Sequence, residues 1–218
     1  MTDFALARRN MVDSQLRTNK INDPRLLAAM AAVPREAFVP SARRAVAYVD
    51  EALPLAGNRW LAPPMAAGRL YQLAAPGPND LVLLIGAGSG YGAAVLGRLA
   101  GAVVALEEDE ALAASAEAAL NEVEADNVVV ARGPLAKGWT KQAPYDVIVF
   151  DGSVEQVPDA IMDQLADGGR LVAALAGQGG VPVATIMRKA GNAVAADRVF
   201  DANMPLLPGF ERVREFVF

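Results

Sequence analysis

Val82-Leu83-Leu84-Ile85-Gly86-Ala87-Gly88-Ser89-Gly90-Tyr91-Gly92 is an apolar run that breaks into alternating glycines and then into the helix-prone stretch Ala93 to Leu99. A buried strand, a tight turn stripped of side chains and a helix whose first N–H groups point at that turn together make a nucleotide cradle. The spacing of the glycines separates two cofactor classes. A dinucleotide fingerprint wants Gly-x-Gly-x-x-Gly directly after the strand. Counted from Gly86, its last position falls on Tyr91, whose side chain obstructs a close helix–strand approach. Counted from Gly88, the pattern closes on Ala93, but the turn then begins late, beyond Ile85.

The direct reading is Gly-x-Gly-x-Gly, which resembles the spacing found in S-adenosylmethionine (SAM) methyltransferases. The next apolar strand, Ala102 to Leu106, ends on Glu107, where a carboxylate can accept hydrogen bonds from two ribose hydroxyls. A free 2′-hydroxyl is therefore expected, which disfavours a 2′-phosphorylated cofactor. The candidate cofactor residues are Gly86, Ala87, Gly88, Ser89, Gly90 and Tyr91 at the methionine end, and Glu107 with its neighbour Glu108 at the ribose. Gly133, Pro134 and Leu135 are expected beside the adenine, and Asp151 and Gly152 at the carboxyl end of a later strand, facing the crevice. The plainer alternative is an ordinary tight turn and a solvated strand end.

The chain has 218 residues, 53% of them hydrophobic, enough for a sizeable core. No run reaches the roughly 18 apolar residues of a membrane span, and Met1 to Asn10 lacks an apolar signal core, so a soluble, cytoplasmic protein is expected. There is no cysteine and no histidine, which removes disulfides, thiol catalysis and the commonest general base and metal ligand. No metal site is expected. The net charge of −5 argues against a nucleic-acid partner. Residues 1–50 nevertheless carry a net +3, against −8 for the remainder. The basic residues Arg8, Arg9, Arg17, Lys20, Arg25, Arg35, Arg43 and Arg44 read either as an attractor for an anionic substrate or as a solvated helix surface.

In chain order, residues 4–17 read as an amphipathic helix with Leu6, Met11, Val12, Gln15 and Leu16 on one face. Asp23-Pro24 is an N-cap followed by proline at the first helical position, opening a helix to Ala32. Ser41 to Tyr48 is a third helical patch, with Ser41 as its cap. Residues 50–66, with Pro54, Gly57, Pro63 and Pro64, read as an irregular and functional loop, and Met65 to Leu73 as a helix. Strands at 81–85, 102–106, 127–131, 145–150 and 170–175 then alternate with helices at 90–100, 109–123 and 157–166, the mark of a doubly wound parallel sheet. Val181 to Arg188, Ala193 to Phe200 and Val213 to Phe218 suit an antiparallel end, the last being a buried strand or part of a dimer contact. A helical cover with its substrate loop (1–75) and a Rossmann-like nucleotide domain (76–218) are the expected parts.

Met11-Val12-Asp13-Ser14-Gln15-Leu16-Arg17, Asp23-Pro24-Arg25-Leu26-Leu27-Ala28-Ala29-Met30 and Val33-Pro34-Arg35-Glu36-Ala37-Phe38-Val39-Pro40 closely resemble the opening of protein-L-isoaspartate O-methyltransferases. Ala47-Tyr48, Leu53-Pro54-Leu55, Ile85 to Tyr91 and Leu171-Val172 continue the resemblance. It implies a class I SAM-dependent methyltransferase fold and methyl transfer to the α-carboxylate of an isoaspartyl residue, the first step of protein repair, with S-adenosylhomocysteine as product. The acceptor is then a protein, a peptide or a small carboxylate, and the chain a monomer or homodimer with neither nucleic acid nor membrane as partner. The alternative is an impaired relative that binds SAM or its product weakly, or a non-catalytic interaction module.

Several positions depart from the family pattern. Its substrate loop carries Thr-Ile-Ser-x-Pro, with the serine hydroxyl on the isoaspartyl carboxylate; here the loop residues are Arg59, Trp60, Leu61, Ala62, Pro63 and Pro64, and Ala62 has no hydroxyl. Losing such a donor costs on the order of 10²–10³ in rate when nothing replaces it. Arg59 offers a two-pronged carboxylate contact in exchange, while Trp60 either serves the acceptor or packs under the loop. Leu84 stands where many methyltransferases place an acid. Ala131-Arg132-Gly133 replaces Gly-Asp-Gly, and Asp151-Gly152-Ser153 replaces Thr-Ala-Ala.

Overall fold

The computed structural model describes residues 3–177 and 180–212. Its helices are α1 (Phe4–Asn10), α2 (Pro24–Ala32), α3 (Pro64–Ala74), α4 (Tyr91–Gly97), α5 (Glu110–Glu122) and α6 (Asp159–Met162). A hairpin of β1 (Leu53–Pro54) and β2 (Trp60–Leu61) precedes the main sheet, which is built from β3 (Leu81–Ile85), β4 (Ala102–Glu107), β5 (Val128–Arg132), β6 (Tyr145–Val154), β7 (Leu165–Leu175), β8 (Val183–Ala190) and β9 (Ala193–Asp201). The strand order is β5-β4-β3-β6-β7-β8-β9, with the first five strands parallel and β8 and β9 antiparallel. This is the doubly wound, mostly parallel sheet of the class I methyltransferase fold.

β3 lies in the middle of the five parallel strands and is apolar throughout because both of its faces are covered. Val82 and Leu84 join the cluster that includes the cover residues Met11, Leu26, Met30 and Phe38. Leu83 and Ile85 join the opposite cluster with Leu106, Phe150 and Leu171. The order of strands reverses between β3 and β6, so the loop after β3 opens at the topological switch point, where such sheets bind ligands.

The cover is fastened by capped helices and by a fully buried cation, Arg35. Asp23 accepts from the Arg25 N–H and Pro24 starts α2, as the Asp-Pro pair requires. Arg35 is fully buried and donates through Nε to the Ala47 carbonyl at 2.7 Å and through Nη2 to the Ala62 carbonyl at 2.6 Å. It is not part of a solvated basic surface.

Several elements differ from the sequence expectation. The first helix is α-helical only to Asn10 and continues as a wider π-type turn to Leu16; Leu6 is 46% exposed, while Met11, Val12 and Leu16 are buried. Ser41 begins a 3-10 turn that ends at Val46 and does not cap it. The supposed irregular loop contains the β1–β2 hairpin. α4 stops at Gly97 and α6 is a single turn, because β7 begins at Leu165 and carries Asp167-Gly168-Gly169 within it. β6 runs on through Asp151 and Gly152 to Val154, with its register against β7 shifting between Val149 and Ser153. The expected strand Val213–Phe218 lies outside the described residues.

Replacing Arg35 by methionine leaves the Ala47 and Ala62 carbonyls buried without a donor. At about 1–3 kcal/mol per orphaned group, the variant should lose roughly 2–5 kcal/mol in urea unfolding. A loss below about 1 kcal/mol contradicts this role for the guanidinium.

Candidate active site

The glycine loop is shaped by contacts on three sides. Gly86, Gly88 and Gly90 all have positive φ, at 82°, 56° and 95°, a region open to glycine at no steric penalty. The Gly86 and Ala87 N–H groups both donate to the Leu106 carbonyl at 3.0 Å, and Gly90 N–H donates to Ala87 at 2.9 Å. A Cβ on Gly86 would lie 2.7 Å from Leu207 and 3.1 Å from Arg59 Nη2; one on Gly88 would lie 3.2 Å from Leu55, and one on Gly90 3.1 Å from Ala116. Ser89 Oγ and the Tyr91 hydroxyl are buried with no hydrogen-bond partner.

Glu107 ends β4 fully buried, not as a solvated strand end. One carboxylate oxygen accepts from Gly88 N–H at 2.7 Å, tying the strand end to the apex of the glycine loop. The other accepts from the Glu108 and Asp109 N–H groups at 3.0 and 3.1 Å, and from Arg59 Nη1 at 2.5 Å. Arg59 is itself only 5% exposed. It is placed there by the β1–β2 hairpin, whose central residues Gly57 and Asn58 both have positive φ and whose Arg59 N–H closes on the Ala56 carbonyl at 3.0 Å. That is a two-residue turn of the primed kind, which the Gly-Asn pair between Leu55 and Trp60 signals in the sequence.

Asp151 lies in β6, across β3 from Glu107. Its Oδ1 accepts from the Tyr71 hydroxyl at 2.6 Å, and it crowds Gly92 so closely that a Cβ there would approach Oδ2 to 2.7 Å. Burial pushes the Asp151 carboxyl up to about 6, opposed by the Tyr71 hydrogen bond and by the charges of Arg35 and Arg59, and assisted by Glu107. The same environment, burial first and then Asp151, raises the Tyr71 hydroxyl well above its ordinary value. Arg35 lies over the Tyr91 ring at 4.7 Å, and Phe38 meets that ring edge-on at 5.8 Å. Tyr71 is not singled out by the sequence, and Arg35 stands there as one of eight basic residues. Only the helical register of Tyr71, which aims it at β6, could have marked it.

The remaining candidates scatter around this centre. Gly133 donates to the Glu107 carbonyl at 3.1 Å and Leu135 N–H to the Glu108 carboxylate at 3.4 Å, so the two loops after β4 and β5 meet. Pro134 and Glu108 are exposed. Gly152 is packed from above, since a Cβ there would lie 2.7 Å from Leu207. Trp60 is 42% exposed and does not pack under the loop; it lines an open groove of about 550 Å³ with Asp50, Pro63, Met204 and Leu206. Ala62 is buried and spends its carbonyl on Arg35. Leu61 and Pro64 are buried beside it, Pro63 half so. Leu84 is core, and Arg132 pairs with Glu117 at the surface at 2.8 Å.

For a nucleoside cofactor the donor chemistry fits: a buried carboxylate at the strand end, a glycine turn, and a second carboxylate across the crevice. The space is another matter. In this conformation Arg59 holds the carboxylate and Leu207 stands over Gly86 and Gly152.

The family model for protein-L-isoaspartate(D-aspartate) O-methyltransferase (PCMT) matches residues 7–203. A protein-L-isoaspartate O-methyltransferase of Methanoregula boonei is 44% identical over 171 residues, 78% of this chain and 79% of its own length. One of Roseiflexus castenholzii is 39% identical over 208 residues, 95% and 94% of the two chains. Among solved structures, a protein-L-isoaspartate O-methyltransferase superposes with a TM-score of 0.80 at 22% identity, covering 93% of this chain and 66% of its own. A Plasmodium falciparum structure described as such an enzyme with S-adenosyl-L-homocysteine gives 0.74 at 17% identity, covering 95% and 99%. At those identities the two structures speak for the fold alone.

The Asp151 carboxyl sets a pH dependence. Its folded value, about 6, lies above the 3.8 of a free carboxyl, so the folded chain holds the proton more tightly. The associated stability is full below about pH 4 and is lost as the pH rises through about 6, a span of about 3 kcal/mol. Asp151→Asn keeps an acceptor for Tyr71 and removes the charge. It should be more stable than the parent by roughly 1–3 kcal/mol at pH 7 and lack the decline. Unfolding curves that track the parent across that range would contradict the assignment.

Proposed function

Because the chain belongs to the protein-L-isoaspartate(D-aspartate) O-methyltransferase family, we propose that it transfers a methyl group from SAM to the α-carboxylate of isoaspartyl residues in proteins and peptides. The observation that carries this reading is the Glu107 carboxylate, buried at the end of β4 and bonded to the apex of the glycine loop at the switch point of the sheet. Bound SAM would supply a sulfonium methyl that is already electrophilic, which an acceptor carboxylate oxygen could take with S-adenosylhomocysteine as the leaving group. The protein then needs to bind, orient and exclude water. That suits a chain with no histidine or cysteine.

In this reading Glu107 accepts from the ribose hydroxyls, the loop from Gly86 to Tyr91 lies along the methionine end, and Gly133 to Leu135 flank the adenine. Asp151 keeps the crevice anionic opposite a cationic sulfonium. The cover of residues 1–75 supplies the acceptor side, through the loop from Arg59 to Pro64 and the groove beside Trp60. The same reading makes the protein cytoplasmic, a monomer or homodimer, acting on neither nucleic acid nor membrane; among the described residues, no helix is long and apolar enough to cross a bilayer.

Incubation with methyl-labelled SAM and an isoaspartyl peptide should give a base-labile methyl ester, absent with the aspartyl isomer. Ala62→Ser restores a hydroxyl beside the Arg35-bound carbonyl and should raise the rate, by at most the 10²–10³ such a donor is worth. No ester from either protein would overturn the proposed acceptor.

A further inference from the structure

The carboxylate assigned to a ribose is held by a cation of the chain itself. Arg59 Nη1 sits 2.5 Å from Glu107 Oε1, with Arg59 5% exposed and Glu107 fully enclosed. Arg59 Nη2 also lies close to the space above Gly86, the position from which a ligand would touch the loop backbone. We propose that Arg59 is a self-ligand of the cofactor site: it holds Glu107 while the site is closed, and it must withdraw before a ribose diol can reach that carboxylate. This rests on the methyltransferase reading.

Three observations support it. First, a carboxylate enclosed in protein needs compensation, and three backbone N–H groups already serve Glu107. The guanidinium adds a compensating charge to these donors, and hydroxyl donors can take its place because those N–H groups remain. Second, Arg59 is mounted at the exposed end of a short hairpin. The hairpin has two residues per strand, is anchored by the buried Leu53 and Leu61, pairs with no strand of the main sheet among the described residues, and exposes its tip at Ala56, Gly57 and Asn58. Third, the segment after β9 closes the same space from the other side. Leu207 is 4% exposed and packs against Gly86 and Gly152, and its segment is pinned at Ser153, whose N–H donates to Pro205, whose carbonyl accepts from Leu207 and whose Oγ donates to Met204. Arg59 and Leu207 come from opposite ends of the chain and converge over one glycine. An arrangement serving only to neutralise Glu107 has no use for the second.

A site that is mostly latched shows an apparent affinity reduced by its open fraction. The test is calorimetric titration of the whole chain with S-adenosylhomocysteine, alongside melting temperatures with and without it, for the parent, Arg59→Ala and Leu207→Ala. Arg59→Ala should melt lower than the parent without ligand, yet bind about tenfold tighter or more and gain more in melting temperature on binding. Leu207→Ala should shift affinity in the same direction. Should the alanine variant not fold, Arg59→Gln, which keeps one donor but not the charge, takes its place. Equal affinity in parent and Arg59 variant, or weaker binding by the variant, would overturn the latch while leaving the methyltransferase reading intact. Binding by none of the folded proteins would overturn both.

Discussion

Two buried carboxylates flanking β3 determine how this molecule is assembled. Glu107 ends β4 on one side of β3, and Asp151 lies in β6 on the other. Neither can be enclosed without partners, and the side chains that serve them come from the first 75 residues: Arg59 for Glu107, the Tyr71 hydroxyl for Asp151, with the Arg35 charge nearby. The helical cover is therefore the electrostatic complement of the sheet end as well as its apolar lid. The charge asymmetry between the front of the chain and the rest is resolved in part at these buried contacts, and only in part as a surface field.

Much of this was legible in the sequence because it is set locally. The run from Val82 to Ile85, bounded by alternating glycines, admits little besides a buried strand and a tight turn. Asp23-Pro24 carries its own helix start. The alternation of apolar runs with alanine-rich segments fixes a parallel sheet with helical crossovers. Glu107 could be singled out because the end of the second strand of such a unit is a place defined by chain order.

What was not legible depends on contacts distant in sequence. Nothing around Arg59 announces that its guanidinium ends on a residue 48 positions away, although the Gly-Asn pair before it was a readable hairpin signal masked by the surrounding prolines. Arg35 looked like one of eight surface cations because a buried arginine differs from an exposed one only in what surrounds it. The continuation of β6 through Asp151-Gly152 defeats expectation in another way: glycine and aspartate usually end strands, but here Ser153 gains hydrogen bonds from the segment that returns after β9. α6 is short for the converse reason, since pairing with β6 draws Leu165 into β7 earlier than the Gly168-Gly169 pair suggests.

The three glycines of the loop are each crowded by a different part of the chain: Gly86 by Leu207 and Arg59, Gly88 by Leu55, Gly90 by α5. A side chain at any of these positions is strained by the positive φ and meets a neighbour within about 3.2 Å, before a ligand enters the question. Natural selection acting on the fold alone would retain this loop through long divergence, even in descendants that had abandoned the nucleotide. Persistence of a glycine motif among such descendants would thus record the packing of a lineage as faithfully as its chemistry.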